Sequence, residues 1–249
     1  MFRRILPLVI LSISVCAQGA IKGNTVNENF LTVKHLLEQK VYFDHRETLY
    51  CGAKFDRDKR IRLPGGFRTP DHVERTKRIE WEHVVPAENF GRTFSEWTRG
   101  SEKCRGHKGA PYYGRKCAND ASREFRLMQG DMYNLYPSIG AVNALRKHYR
   151  FDYLPEGTAS TFGSCPMKIK GNAVEPPENA RGRIARTHLY MQAAYPRFSL
   201  SKQQYKLMQA WDKQYPVTPW ECLRARRIEA LQGNENPYVK EACVANRLW

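Results

Sequence analysis

Arg78-Ile-Glu-Trp-Glu-His-Val-Val-Pro-Ala87 alternates in steps of two. Ile79, Trp81, His83 and Val85 fall on one side, and Arg78, Glu80, Glu82 and Val84 on the other. That period reads as a strand, and Pro86 ends it. The stretch also sets a geometric problem. Neighbours on a regular strand point to opposite faces, so Glu82 and His83 share a site only if the strand bends, as the approaching Pro86 suggests. Further along, Asp131-Met-Tyr-Asn-Leu-Tyr-Pro-Ser-Ile-Gly-Ala-Val-Asn143 places Asn134 just before a turn. A short helix is expected to start at Pro137-Ser138 and to carry Asn143.

Outward from these stretches the periodic segments are helical. Phe30, Val33, Leu37 and Val41 form one stripe of a helix over 27–42, with Asn27 or Glu28 near its start. Weak alternation over 50–63 fits a strand pair that turns at Pro64-Gly65-Gly66. Residues 98–117 read as a loop rich in Gly, Lys and Arg. A helix over 121–133 turns Phe125, Met128 and Met132 inward. Three more helices are expected over 179–195, 202–215 and 219–231. A Ser201-x-x-Gln204 box caps the second, and Thr218-Pro219 and Gly233 bracket the third. There are no repeats or long linkers. The expectation is a mostly helical α+β single domain over 18–249 with a small strand element in its middle.

Composition narrows the class. The 249 residues carry 41 Lys+Arg against 25 Asp+Glu, a net charge of +16. Aromatics at 12% exclude a solvated polycationic tail, and a mean hydropathy of −0.65 excludes a multi-span membrane protein. A folded basic domain is left, and its natural partner is a polyanion. Arg3 and Arg4 precede an apolar run over 5–15 with small residues around Ala17, which reads as a secretory signal over 1–17. Cys16 leaves a lipid anchor as a minor alternative. Beyond it remain Cys51, Cys104, Cys117, Cys165, Cys222 and Cys243. In an exported chain this even number suggests up to three disulfides. Sequence proximity favours Cys104–Cys117 and Cys222–Cys243, with Cys51–Cys165 left over. Zinc is the competing use of these cysteines, but no tight Cys-x-x-Cys pair exists.

The residue types match what hydrolysis of a phosphodiester requires. Neutral His83 can take a proton from water near pH 7. Glu82 and Asn143 offer hard oxygen ligands suited to Mg²⁺ or Ca²⁺. Arg115 offers a fork for non-bridging phosphate oxygens. Singly, each has a plainer reading: a buried His, a polar helix surface, a turn-forming Asn134, one cation of a solvated face.

Together they resemble the bacterial endonuclease I family of periplasmic or secreted non-specific nucleases. The stretches that carry the likeness include Glu80-Trp-Glu-His-Val-Val-Pro-Ala87, Gly114-Arg-Lys116, Asp131-Met-x-Asn-Leu-x-Pro-Ser-x-Gly140, Arg181-Gly-x-Ile-Ala-Arg-Thr187, Tyr215-Pro-Val-Thr-x-Trp-Glu-Cys222 and Asn236-Pro-Tyr-Val239. The resemblance implies a ββα-metal (His-Me) finger in which His83 is the general base and Glu82 and Asn143 hold one Mg²⁺, with Ca²⁺ or Mn²⁺ as alternatives. It further implies that Arg115 stabilises the phosphate and Asn134 braces the finger. By the same likeness, the protein would act as a monomer, without a small-molecule cofactor or transmembrane segment. It would cleave DNA and RNA in the periplasm or outside the cell, leaving 5′-phosphate ends.

Some positions depart from the family. Gln129, Ala141 and Leu145 stand where members carry acids, and Ala53 and Gly65 lie where a further cysteine pair is expected. The lost acids keep open a catalytically weak or inactive polyanion-binding protein on the same fold. A disulfide-stapled adhesion module is a third reading.

Overall fold

In a computed structural model, residues 21–249 are described; the expected signal over 1–17 lies outside them. The expected strand forms as β3 (Ile79–His83) and pairs antiparallel with β4 (Leu135–Ile139), Glu82 opposite Tyr136 and His83 opposite Leu135. Helix α6 (Gly140–Arg146) follows β4 directly, so two strands and a helix form one unit. The β3–β4 pair has hydrophobic packing on both sides. Ile79, Trp81, Val85 and Leu135 belong to one buried cluster, while Val84, Tyr136 and Ile139 belong to another. Alternation in the sequence therefore marks a strand buried on both faces, one of which also carries Glu80 and Glu82.

β4 corrects the expected helix start at Pro137-Ser138. Both residues lie within the strand, and the helix begins at Gly140. Proline is tolerated because the sheet has only two strands. The Pro137 carbonyl accepts from Leu49 N–H at 2.8 Å, away from β3. Its nitrogen therefore also faces away from the ladder, and no strand-to-strand bond is lost. Gly140 permits a close approach: a Cβ there would lie 2.5 Å from the Arg75 carbonyl.

The other strands are short. β1 (Lys54–Phe55) and β2 (Ile61–Arg62) form the expected pair before the Pro64 turn. β5 (Arg150–Phe151), β7 (Ala173–Glu175) and β6 (Lys168–Lys170) make a three-stranded mixed sheet in the order β5-β7-β6 that the sequence did not reveal.

The helices largely fall where expected, with shifted ends. α1 (Phe30–Leu36) starts later than residue 27 because Asn29 supplies the cap, accepting from the N–H groups of Leu31 and Thr32; a π-helical turn (Leu37–Val41) follows. α2 (Ala87–Gly91) and α3 (Ser95–Thr98) are short. The expected helix over 121–133 begins instead as α5 (Arg123–Gln129), because Ser122 caps there; a 3₁₀ turn (Met132–Asn134) then leads into β4. Residues 114–117, read as loop, are the first half of α4 (Gly114–Ala121).

α7 (Glu178–Ala194), α8 (Lys202–Gln214) and α9 (Pro219–Gln232) complete the body, with Ser201 and Thr218 as caps and Gly233 left-handed after α9. α10 (Pro237–Ala245) was not expected. α7 is buried along most of its length, and Arg186 is satisfied by both Glu221 oxygens at 2.7 Å. The pairing Cys51–Cys165, Cys104–Cys117 and Cys222–Cys243 is present, so no described cysteine is free for zinc. Among the described residues no helix is long and apolar enough to cross a membrane.

Candidate active site

β3 ends at His83, and the chain bends at Val84 and Val85. Bending removes backbone groups from the ladder, and buried N–H and C=O groups need other partners. Asn134 supplies several. Its carbonyl accepts from Val84 N–H at 3.0 Å, its Oδ1 accepts from Val85 N–H at 2.7 Å, and its Nδ2 donates to the Val85 carbonyl at 2.9 Å. Arg146 supplies the rest, donating to the His83 carbonyl at 2.9 Å and to the Val84 carbonyl. Glu82 and His83 leave the strand on opposite faces, yet both line one cleft of about 410 Å³ with Arg115, Asn143 and Arg146. A larger cavity of about 800 Å³, lined by Gly23, Glu229 and Asn234 among others, lies away from this acid–base set.

His83 is 7% exposed, and its Nε2 lies 2.9 Å from the Gln129 carbonyl. A carbonyl only accepts, so Nε2 carries the hydrogen and Nδ1 keeps its lone pair. Burial, with Arg115 second, lowers the imidazole pKa to about 3, against the opposing bond to Gln129. The ring is therefore a neutral base at pH 7. Phe30 stacks on it with centroids 5.3 Å apart.

Glu82 is 2% exposed. The Tyr50 hydroxyl donates to its Oε1 at 3.0 Å, and Arg146 Nη1 lies 3.1 Å from the same oxygen. Oε2 has no hydrogen-bond partner among the described residues. Burial raises the carboxyl pKa to about 7, although Arg146 and Tyr50 pull it down.

Asn143, on α6, donates from Nδ2 to Glu80 Oε2 at 2.8 Å. The carboxylate can only accept, so it fixes the amide with its nitrogen toward Glu80 and Oδ1 turned away. Glu80 is itself held by Arg75 Nε at 2.8 Å. One carboxylate oxygen and one amide oxygen are thus without a hydrogen-bond partner among the described residues, the kind of donor that would suit a hard cation. Among the described residues no three His, Cys, Asp or Glu side chains are grouped to hold a metal by themselves. The donors suit Mg²⁺ better than zinc.

Arg115 sits in the first turn of α4, exposed to solvent. Its Nε donates to Gln129 Oε1 at 2.7 Å, and its guanidinium lies 5.4 Å from the Phe30 ring centre. No acceptor takes its Nη groups among the described residues. Asn134 does not line the cleft; it is fully buried beneath the bend.

The endonuclease I family model matches residues 37–243. The chain belongs to the endonuclease I family. An extracellular deoxyribonuclease of Aeromonas hydrophila is 41% identical over 211 residues, covering 82% of this chain and 86% of that one. A periplasmic deoxyribonuclease of the same organism is 38% identical over 245 residues, 96% of each chain. An "Endonuclease-1" of Buchnera aphidicola subsp. Baizongia pistaciae is 36% identical over 255 residues, 99% of this chain and 97% of that one.

Within this endonuclease I chain, several side chains that complete the site were missed in the sequence. Glu80 and Arg146 lay inside or beside the quoted motifs and were readable only as neighbours. Gln129 was visible as a departure from the family. Tyr50 and Phe30 gave no signal beyond being aromatic.

Proposed function

We propose that the protein is an exported, metal-dependent endonuclease that hydrolyses phosphodiester bonds of DNA and RNA. The observation that carries this is the convergence on one cleft of a neutral histidine with a free Nδ1, a carboxylate and an amide each with a free oxygen, and an arginine with free Nη groups. Relatives named as extracellular or periplasmic deoxyribonucleases support the same reading and the export that goes with it.

His83 Nδ1 takes a proton from a water molecule, whose oxygen attacks phosphorus in line with the departing 3′-oxygen. Arg115 donates from its Nη groups to the non-bridging oxygens as their charge grows. Glu82 and Asn143 would hold a divalent cation, whose chemistry is to offset charge on the phosphate and the departing oxygen. The P–O3′ bond breaks, the 3′-oxygen takes a proton from solvent water to become a hydroxyl, the phosphate stays on the 5′ end, and His83 returns its proton to solvent. Lys and Arg side chains around the cleft and over 92–116 meet phosphates rather than base edges, so cutting is sequence-independent.

Plasmid nicking by the mature protein, with and without EDTA, tests the reading. Mg²⁺-dependent nicking that His83→Ala lowers by about 10²–10⁴-fold is expected. Metal-independent nicking, no nicking, or full activity in His83→Ala would overturn it. The expected lability to salt is a separate check, because phosphate contacts weaken as log salt rises.

A further inference from the structure

Gln129 touches both halves of the site from one position. Its backbone carbonyl accepts from His83 Nε2 at 2.9 Å, and its side-chain Oε1 accepts from Arg115 Nε at 2.7 Å. The other end of the amide donates to Asn119 Oδ1 at 3.0 Å. The orientation is not arbitrary: Arg115 Nε can only donate, so the oxygen must face it and the NH₂ must face Asn119. The residue is 3% exposed at the last position of α5, and Asn119 is on α4, so the amide bolts the two helices together.

We infer that Gln129 is a positioning residue that sets the Arg115 guanidinium relative to His83, and that its neutrality leaves the full positive charge of Arg115 for the substrate phosphate. The inference rests on the nuclease reading of this cleft. An acceptor on Nε restrains the planar guanidinium while both Nη groups stay free for a phosphate fork. A carboxylate in the same place would hold Arg115 equally well but pair with its charge, and substrate would then compete with an internal anion. Phe30 lies against both His83 and Arg115, so displacing either disturbs a shared packing surface.

The test is a double-mutant cycle on the full chain with Gln129→Met, which keeps the volume and removes both polar ends, and Arg115→Ala. Nicking kinetics and binding of duplex DNA in EDTA are both read. Arg115→Ala should cost about 10²-fold in kcat. Gln129→Met should cost about 10-fold alone and close to nothing in the Arg115→Ala background, because a fraction of an ångström in placement matters only while the guanidinium is present. Gln129→Glu should restore most of the lost kcat while raising KM and weakening duplex binding. Additive losses in kcat and in binding, or a Gln129→Glu variant that binds as the parent does, would overturn the inference. If Gln129→Met fails to fold, Gln129→Glu alone decides through its KM-against-kcat split. An additive cycle in a wild type that nicks DNA sinks only the role of Gln129. Absence of nicking by the wild type sinks the nuclease reading, and the binding arm of the cycle still reports on Gln129.

Discussion

Arg146 and Glu82 form an ion pair 3.1 Å apart with both side chains almost wholly removed from water. The same guanidinium donates to the carbonyls of His83 and Val84, so one residue holds the carboxylate and the bend that presents it. Removing one partner of a buried pair strands the other charge. Arg146→Met should therefore lower stability by about 3–5 kcal/mol in urea unfolding at pH 7. Pairing it with Glu82→Gln should recover part of the loss. A cost below about 1 kcal/mol would show that the pair does not hold the bend.

Stability should depend on pH through three buried groups, two histidines and one carboxyl, acting with opposite signs. His83 and His188 are buried and neutral, with pKa values lowered to about 3 and about 4. Their unfolded forms take up protons near pH 6.5, so stability falls as pH drops below that value. Glu82, raised to about 7, holds its proton in the folded state where the unfolded chain has lost it; its contribution is full below about pH 4.5 and is lost as pH rises through 7. With two histidines opposing one carboxyl, urea midpoints in EDTA should rise with pH from about 4.5 to about 7 and then level, and Glu82→Gln should steepen that rise. An unchanged slope between about pH 4.5 and 7 in that variant would refute the assignment.

Among the described residues, the Asn134 side chain bonds only to the bend, through the N–H and the carbonyl of Val85. Asn134→Ala leaves the Val85 N–H and C=O without partners in a fully buried position, at about 1–3 kcal/mol for each. Asn134→Asp keeps the acceptor for Val85 N–H but sets a second oxygen against the Val85 carbonyl in a fully buried place, so it should lose at least as much at pH 7. Both should slow nicking more than they weaken DNA binding, because Asn134 lies outside the cleft. Equal losses in the two would point to a role in substrate contact instead.

The disulfides should rank by the loop each closes. Cys51–Cys165 spans 114 residues and Cys104–Cys117 spans 13, so chain entropy assigns them about 4.7 and about 3 kcal/mol. Serine pairs in each position, compared by urea unfolding, give the order. A smaller loss for the 51–165 pair would show that loop length does not set the order.

What the sequence reveals and what it hides divides along one physical line. β3 was legible because its alternation is written in consecutive residues, and α8 and α9 because their caps are local. β4 was hidden, since Pro137 and Ser138 normally announce a helix start and only a two-stranded sheet makes a mid-strand proline harmless. α4 was hidden behind its glycine-rich approach, with Gly114 at a φ of +73°. At the site, the structure brings His83, Glu82, Asn143 and Arg115 to one cleft, and all four were singled out from their chemistry and from the resemblance to the family. Their partners were not: Tyr50, Gln129 and Arg146 reach them across 32, 14 and 63 residues of chain. A contact of that kind leaves no periodicity to read.

The position of β3 between two hydrophobic clusters has one more consequence. Trp81 and Val85 settle in one cluster while Val84 settles in the other, so neither core alone fixes the strand or the bend that ends it. Residues that complete the cleft come from α1, α4, α5 and α6 as well, spread from Phe30 to Arg146. No contiguous fragment shorter than that span contains the site. Cutting activity should therefore return late in refolding, once both cores have condensed, and serves as a single-assay reporter of complete assembly.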